Sequence, residues 1–503
     1  MKVCLVLQRH FTPVGHALAV ALKERGVTEF CAFVNLRENI PFLTTQKEIS
    51  YTSLLLDEDI YHAYKDETLD FAYLERIEKE YGIPNLSPYL EIDRVLRHSQ
   101  LVREYPYDCP LHTHDDLLRI LQSKTKAILN FLETEKPDAL FLSVVADLST
   151  FFLYEAAKKK GMLVFFMQSS RVENLQTLTR DYKTLSYTTE LFQHIQKKEV
   201  AYPAEKKRAE EFLRAFRAQP RSHSHQDNPD RKPVTRMKQL AFLYPTKLIR
   251  SLFFSLKIWA DYFREERRDD PQIIKPWHYL LDHLKRKLRV LYGFDDLYDT
   301  PNEQNAYAFF PLQLEPEMGT SLFSRFYTDQ LWLIKQTARS LPVGMYLFVK
   351  EHPAMYGYHT RAFYKKLKTI PNLKLLSPKV PGLKIVEGAS LIVTLTGTSG
   401  WEGILLGKPI ITFGDVFYNA LPSVKKCENI NDLPALICEQ LARAPLDEET
   451  LLNFLTAIYR ESVNLDLITL WEVEGSGQIE KYRAQLDKLA DFLISKMKVA
   501  PQQ

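Results

Sequence analysis

The stretch VTLTGTSGWEGILLGKPIITFG, Val393–Gly414, decides how the chain is read. An apolar strand runs into Thr-Gly-Thr-Ser-Gly, a helix opens near Trp401, and Gly-Lys-Pro returns the chain to a second apolar strand. Small residues at a strand-to-helix junction let a ligand approach the backbone closely. The free N–H groups and dipole of a helix start favour a phosphate there. Thr396, Thr398 and Ser399 add hydroxyls around Gly400, and Glu402 sits in the first turn, where a carboxylate can take vicinal ribose hydroxyls. Plain N-capping by Thr398 or Ser399, with Glu402 as dipole partner, accounts for the Ser and the Glu. It leaves two glycines and two more hydroxyls without a reason. The order is neither the G-x-G-x-x-G of a dinucleotide site nor the G-K-[ST] of a P-loop.

Outward from this stretch the same rhythm repeats. AYAFFPLQL, GMYLFVKEHP, NLKLLSP and LIVTLTG read as strands, separated by the helical TDQLWLIKQTARSLP, HTRAFYKKLKTIP and GLKIVEGA. At the N-terminus KVCLVL, FCAFVNL, KPDALFLSVV and MLVFFMQSS are strands. QRHFTPVGH reads as a turn, HALAVALKERGV as a helix ending at Gly26, and DLSTFFLYEAAKKKG as one closed by Gly161. A loop carrying Arg171 and Asn174 is expected after MLVFFMQSS. Strand–helix alternation implies parallel sheets covered on both faces. The expected fold class is α/β: two doubly wound Rossmann-like domains, 1–190 and 306–430, facing a cleft. A basic helical insert, 191–305, separates them, and helices fill 431–503. Residues 50–130 read as mostly helical and Tyr-rich, without a place in this scheme. Ligands in such sheets sit beyond the carboxyl ends of the strands.

Bulk properties narrow the classes. With 503 residues, 66 Lys+Arg against 63 Asp+Glu and a net charge of +3, the chain is too balanced for a nucleic-acid binder. Cys4, Cys31, Cys109, Cys427 and Cys438 form no C-x-x-C pair, which suggests reduced thiols and a cytoplasmic location. The opening MKVCLVLQRH is too short an apolar run for a signal peptide, and no run reaches the roughly 18 residues of a membrane span. The expectation is a protein neither exported nor integral to a membrane, able to lie on the cytoplasmic face of one. Between Arg231 and Ala260 there is no acidic residue. The basic-aromatic run 236–259 suits an anionic membrane surface or a packed helix. Packing is expected, because Leu, Phe and Trp spread around much of the circumference. Paired aspartates in RRDDP (267–271) and GFDDLYD (293–299) read as caps or turns, so no metal and no cofactor is expected.

Two further motifs fall at strand ends. VKEHP, Val349–Pro353, delivers Lys350 and His352 to the sheet edge, where they suit an anionic group. The plain alternative is a strand end with solvated charges and a His that caps a turn. FFPLQLEPEMGTS, Phe309–Ser321, offers Gln313, Glu315 and Glu317 as polar groups leaving an apolar strand, one of them a candidate general base. The alternative is a polar loop with ordinary surface carboxylates.

In this order FPLQLEPE, VKEHP and TLTGTSGWEGILLGKPIITFGDVFY resemble the bacterial capsule polysaccharide biosynthesis family, which includes the Kdo transferases of capsule assembly. The resemblance covers roughly 306–425 and implies a GT-B-like glycosyltransferase using a CMP- or CDP-activated donor without a metal. It implies that Lys350 and His352 contact the donor nucleotide and its phosphate. Thr396, Thr398, Ser399 and Gly400 would hold the phosphate, Glu402 the ribose, and Gln313, Glu315 and Glu317 would lie near the transferred sugar. Kdo-transferring members would carry an Asp in the Gln loop. Here the carboxylates are Glu, which leaves the donor sugar open. The acceptor-side base is left among His10, His16 and Asp147. The implied partners are a nucleotide-sugar donor, a glycan or glycolipid acceptor and the inner membrane or an assembly complex, with no nucleic acid. Transfer of a phosphopolyol from a CDP donor and a non-catalytic glycan-binding scaffold are the alternatives.

Overall fold

The computed structural model describes residues 1–9, 11–83, 85–90, 112–222, 240–265, 275–300, 305–443, 447–466 and 482–499, together with Asp93, Leu96, Arg268 and Ile273. Among them the chain forms two units, one from 1–93, 112–209 and 452–503, the other from 210–451.

The first unit is built on β1 (Lys2–Leu7), β2 (Glu29–Val34), β3 (Tyr51–Leu56), β4 (Ala139–Leu142), β5 (Leu163–Ser169) and β6 (Leu175–Thr179). The sheet order is β6-β5-β4-β1-β2-β3, with a late strand, Ser462–Asn464, outside β6. β1 to β5 pair in parallel. The expected loop with Arg171 and Asn174 follows β5, and β6, which was not expected, returns antiparallel to β5 after it. Arg171 and Glu173 adopt left-handed φ values of 57° and 48°, which turns the chain back on itself there. β3 gives the region 50–130 its place at the far edge of this sheet.

The first helix, Phe11–Lys23, starts inside the expected turn. Pro13 lies in its first turn, where a missing N–H costs nothing. Leu18 and Leu22 pack with β1's Val3, Leu5 and Leu7 and with Leu486 and Leu493 of the helix Arg483–Val499. Arg25 pairs with Asp487 and Asp491 of that helix at 3.0 and 2.6 Å. Of the tail expected as separate helices, Leu433–Ala442 stays with the second unit and the part from 452 on belongs to the first: its strand extends the sheet and its last helix completes the core.

The second unit carries β7 (Tyr307–Pro311), β8 (Tyr346–Lys350), β9 (Leu373–Leu376), β10 (Leu391–Thr394), β11 (Ile410–Thr412) and β12 (Val424–Lys426), all parallel. Their order is β12-β11-β10-β7-β8-β9. The central strands β7, β10 and β11 are near-continuous apolar runs because they are buried on both faces, whereas the edge strands β9 and β12 carry lysines. In each unit the first and fourth strands are neighbours and the strand order reverses between them, which makes both sheets doubly wound in the Rossmann sense. The α/β, doubly wound expectation holds for each unit.

The insert forms helices Pro203–Ala218, Pro245–Arg264 and Pro276–Tyr292, the first crossing the boundary between the units. Ile258 is the buried residue of Pro245–Arg264. Leu252 and Phe253 of that helix are 61% and 67% exposed, so the packing expected for the run 236–259 is corrected. Residues 236–239 lie outside the described residues, as do most of RRDDP and of the linker before the run.

Candidate functional site

Three adjacent parallel strands at the centre of the second sheet, β10, β7 and β8, end at the same edge. Each end carries one of the three motifs. After β7, Gln313 receives a hydrogen bond on its carbonyl from Gln330 Nε2 at 3.3 Å. Its own N–H donates to Gln330 Oε1 at 2.7 Å. Its side-chain Nε2 donates to Thr394 Oγ1 at 3.2 Å, across the switch point between β7 and β10. After β10, Thr396 is buried, with its hydroxyl 3.5 Å from Gly319 O.

The helix Thr398–Leu405 opens three residues earlier than expected. Its N-cap is Gly397, and no side chain caps it. The capping account of Thr398 and Ser399 is therefore set aside: both are half-buried residues of the first turn. The glycines have a packing reason that the sequence did not disclose. A Cβ on Gly397 would stand 2.7 Å from Thr394 Oγ1 and 2.8 Å from Gln313 Nε2. One on Gly400 would meet Tyr418, whose hydroxyl donates to Gly397 O at 2.8 Å.

At the end of β8, Lys350 is buried. Burial pushes its ammonium down to about 8, although the carboxylates of Glu351 and Glu402 draw it up. Glu402 is itself buried. A cation, a carboxylate and a helix start thus share one edge in a site of low polarity, where each interaction is stronger than in water. His352 caps the short turn Pro353–Met355, its Nδ1 accepting from Ala354 N at 3.2 Å, as the plain alternative has it.

Glu351, fully buried, is the residue that the motif reading passed over. It accepts from His352 N at 2.6 Å, from Tyr364 Oη at 2.6 Å and from His359 Nδ1 at 2.8 Å. His359 Nε2 stands 3.9 Å from Glu315. Burial lowers the imidazole pKa, but Glu315 and Glu351 outweigh it and hold the ring protonated up to about 9. Glu315 is buried against His359 and Gln330, inside a polar network, whereas Glu317 is exposed at the start of Met318–Ser321. No spacing signal links His359 to Glu315; only the fold brings them together. The aspartates of GFDDLYD are ion-paired: Asp296 with Arg361, Asp295 with Lys379 at 3.3 Å and Asp299 with Lys368 at 2.8 Å.

The first unit has a polar edge at its own switch point. Gln8, after β1, accepts from Ser143 Oγ at 3.2 Å and donates to Asp147 Oδ2 at 3.4 Å. Asp147 caps the helix Leu148–Lys159 through Thr150 N at 2.8 Å. Burial, then Asp93 and Asp57, push its carboxyl up to about 6. Lys124, in the helix His114–Glu135, donates to both oxygens of Asp57 at 2.7 and 2.8 Å and to Ser149 Oγ at 2.7 Å. His16 lies apart from this edge. It is buried beside Tyr51 Oη at 3.1 Å, and burial lowers its pKa. His10 lies outside the described residues.

A doubly wound sheet with polar groups converging at its switch point is the class of site that the second unit defines. Residues 200–422 match the model of a family described as capsule polysaccharide biosynthesis protein, the family the three motifs resemble. The matched range takes in the basic insert. Protein FixF of Sinorhizobium fredii is 27% identical over 134 residues, 26% of this chain and 32% of that protein, so the match spans about a third of that relative. Among solved structures, the beta Kdo 2,4 transferase of Thermosulfurimonas dismutans KpsC shares 14% identity at a TM-score of 0.36, covering 67% of this chain and 88% of its own. The beta Kdo 2,7 transferase of the same protein shares 11% identity at a TM-score of 0.34, covering 66% and 79%.

Proposed function

We propose that the protein is a glycosyltransferase that moves a sugar from a nucleotide-activated donor, CMP-linked in the first instance, to a growing surface polysaccharide or lipid-linked glycan. The observation that carries this reading is the convergence of Gln313, Lys350, the Thr394–Ser399 loop and Glu402 on one switch point. The Lys350 ammonium and the N–H groups of Thr398 and Ser399 take the phosphate, while Gly400, its N–H bonded to Gly397 O at 3.1 Å, lets the turn close. An anion there restores the lysine's charge by replacing the water that burial removed. Glu402 takes the ribose hydroxyls, and His352 reaches the nucleotide from the turn that it caps. Gln313 and Glu317 lie on the sugar side of the edge, and Glu315 holds the loop through His359. Among the described acceptor-side candidates for the base, Asp147 is the one at the switch point of its own sheet, and a carboxyl near pKa 6 accepts a proton more readily than an ordinary one.

Thermal shift and calorimetry of the purified chain with CMP, CDP, UDP, GDP and ADP test the reading. Stabilisation by a cytidine nucleotide, lost in Lys350→Met, is expected. Affinity should fall as pH rises through about 8, where the lysine loses its proton. Absence of any nucleotide response at saturating ligand overturns the donor site.

A further inference from the structure

The helices Pro245–Arg264 and Pro276–Tyr292 expose more large apolar side chains than any other part of the described chain. In the first of them Leu248, Ile249, Leu252, Phe253, Leu256 and Phe263 are all exposed. At 3.6 residues per turn these six fall on one arc of about 140°. Arg250, Lys257 and Arg264 follow at intervals of seven residues along one border of that arc. The opposite side, with the buried Ile258, faces the neighbouring helix, where Phe254 meets Tyr279 and Tyr262 meets Trp277. The second helix repeats the pattern: Trp277, Leu281, Leu284 and Leu288 are exposed, with Lys285 and Lys287 on either flank. Its inner side is fastened to the second unit by Arg286 and Arg289, which donate to Tyr358.

We propose that this helical pair lies flat on an anionic lipid bilayer, its apolar arcs in the headgroup–acyl boundary and its border cations on lipid phosphates. The first helix is 20 residues long but carries charges along its length, and no described helix is long and apolar enough to cross a membrane. Lys and Arg stems at the border of an apolar arc reach lipid phosphates while the arc is buried. The charge pattern selects lipid over a second copy of this chain. A symmetric antiparallel self-contact would set these rows of cations against each other, and Asp261 is the single carboxylate of the helix to relieve them. The surface is independent of the transferase reading.

Flotation of the full chain with vesicles of phosphatidylglycerol and phosphatidylethanolamine, and with phosphatidylcholine vesicles in parallel, tests it. Binding to the anionic vesicles and its loss in Leu252→Glu/Phe253→Glu are expected. Arg250→Ala/Lys257→Ala should lower partitioning roughly thirtyfold, at about fivefold per cation. All four positions are exposed, and unchanged circular dichroism and nucleotide response verify that each variant is folded. No flotation of the folded chain overturns the proposal, as does equal flotation of the two Glu substitutions. A concentration-dependent dimer that Leu252→Glu/Phe253→Glu dissociates, without lipid binding, overturns it in favour of a second copy.

Discussion

Gln313 Nε2 lies 3.2 Å from Thr394 Oγ1, and that bond ties the loop after β7 to the end of β10 across the switch point. The same hydroxyl accepts from Gly397 N at 3.1 Å, so one threonine sets the start of the helix Thr398–Leu405. Gln313→Ala is expected to cost about 1 kcal/mol, the net worth of a hydrogen bond. Thr394→Val leaves two donors without their acceptor and is expected to cost about 1–3 kcal/mol. Urea unfolding measures both. Nucleotide affinity should drop in both variants, and retention in Thr394→Val would detach the helix start from the ligand.

Gly403 separates packing from binding among the small residues. A Cβ there would stand 2.9 Å from Ile410 Cδ1 and closer still to Ile392 Cδ1. Gly403→Ala alone should destabilise by about 1–3 kcal/mol through overpacking. In an Ile392→Val background the nearest methyl is gone, and the alanine's helix propensity, about 1 kcal/mol, should offset most of the remaining cost. A double-mutant cycle by urea denaturation measures the coupling. Additive effects would remove packing as the reason for this glycine.

The His359 imidazole gives a signed pH dependence. Its ordinary pKa is 6.5 and its folded value is about 9, so its stabilisation is complete below 6.5 and is lost as pH rises through 9. Urea midpoints should therefore fall from pH 6.5 to about 8 in the wild type, above which deprotonation of the buried Lys350 opposes the loss. His359→Phe leaves Glu351 and Glu315 without their cation and is expected to cost about 3–5 kcal/mol at neutral pH. It should also flatten the dependence. A wild-type midpoint that stays level across the window would contradict the buried pair.

Asp147 should show opposite effects on stability and turnover. Its carboxyl is raised from 3.8 to about 6, so ionisation costs stability: the cost is absent below 3.8 and complete above about 6. Asp147→Asn keeps the helix cap and removes the charge beside Asp57 and Asp93. A gain on the order of 1–2 kcal/mol at neutral pH is expected. Loss of the proposed base should lower turnover by about a hundredfold or more. Calorimetry and a transfer assay read the two. A variant both less stable and fully active would end the assignment.

Much of the fold was legible in the chain. Alternating apolar runs and amphipathic segments showed β1, β2, β4, β5 and the strands β7 to β11, since a strand buried on both faces must be apolar throughout, whereas β12, Val-Lys-Lys, carried no such signal. β6 was missed because LQTLT is short and more than half polar, although all five of its residues are buried. The tail was placed apart because pairing of Ser462–Asn464 with β6 is a contact across nearly 300 residues, and local pattern carries no information at that range.

For the site, the sequence alone determined which residues end the central strands: Gln313 after β7, Lys350 at the end of β8, Thr396 to Gly400 after β10. Strand ends follow from local patterning. Only the tertiary structure decided which of them act together and how. It set Glu315 into a buried network with His359 and Glu351, and it lowered the Lys350 pKa by burial beside Glu402. It gave the glycines a packing partner in Tyr418 and turned the apolar arc of Pro245–Arg264 outward. Burial, charge pairing and exposure depend on distances between segments far apart in sequence, which periodicity along a chain does not encode.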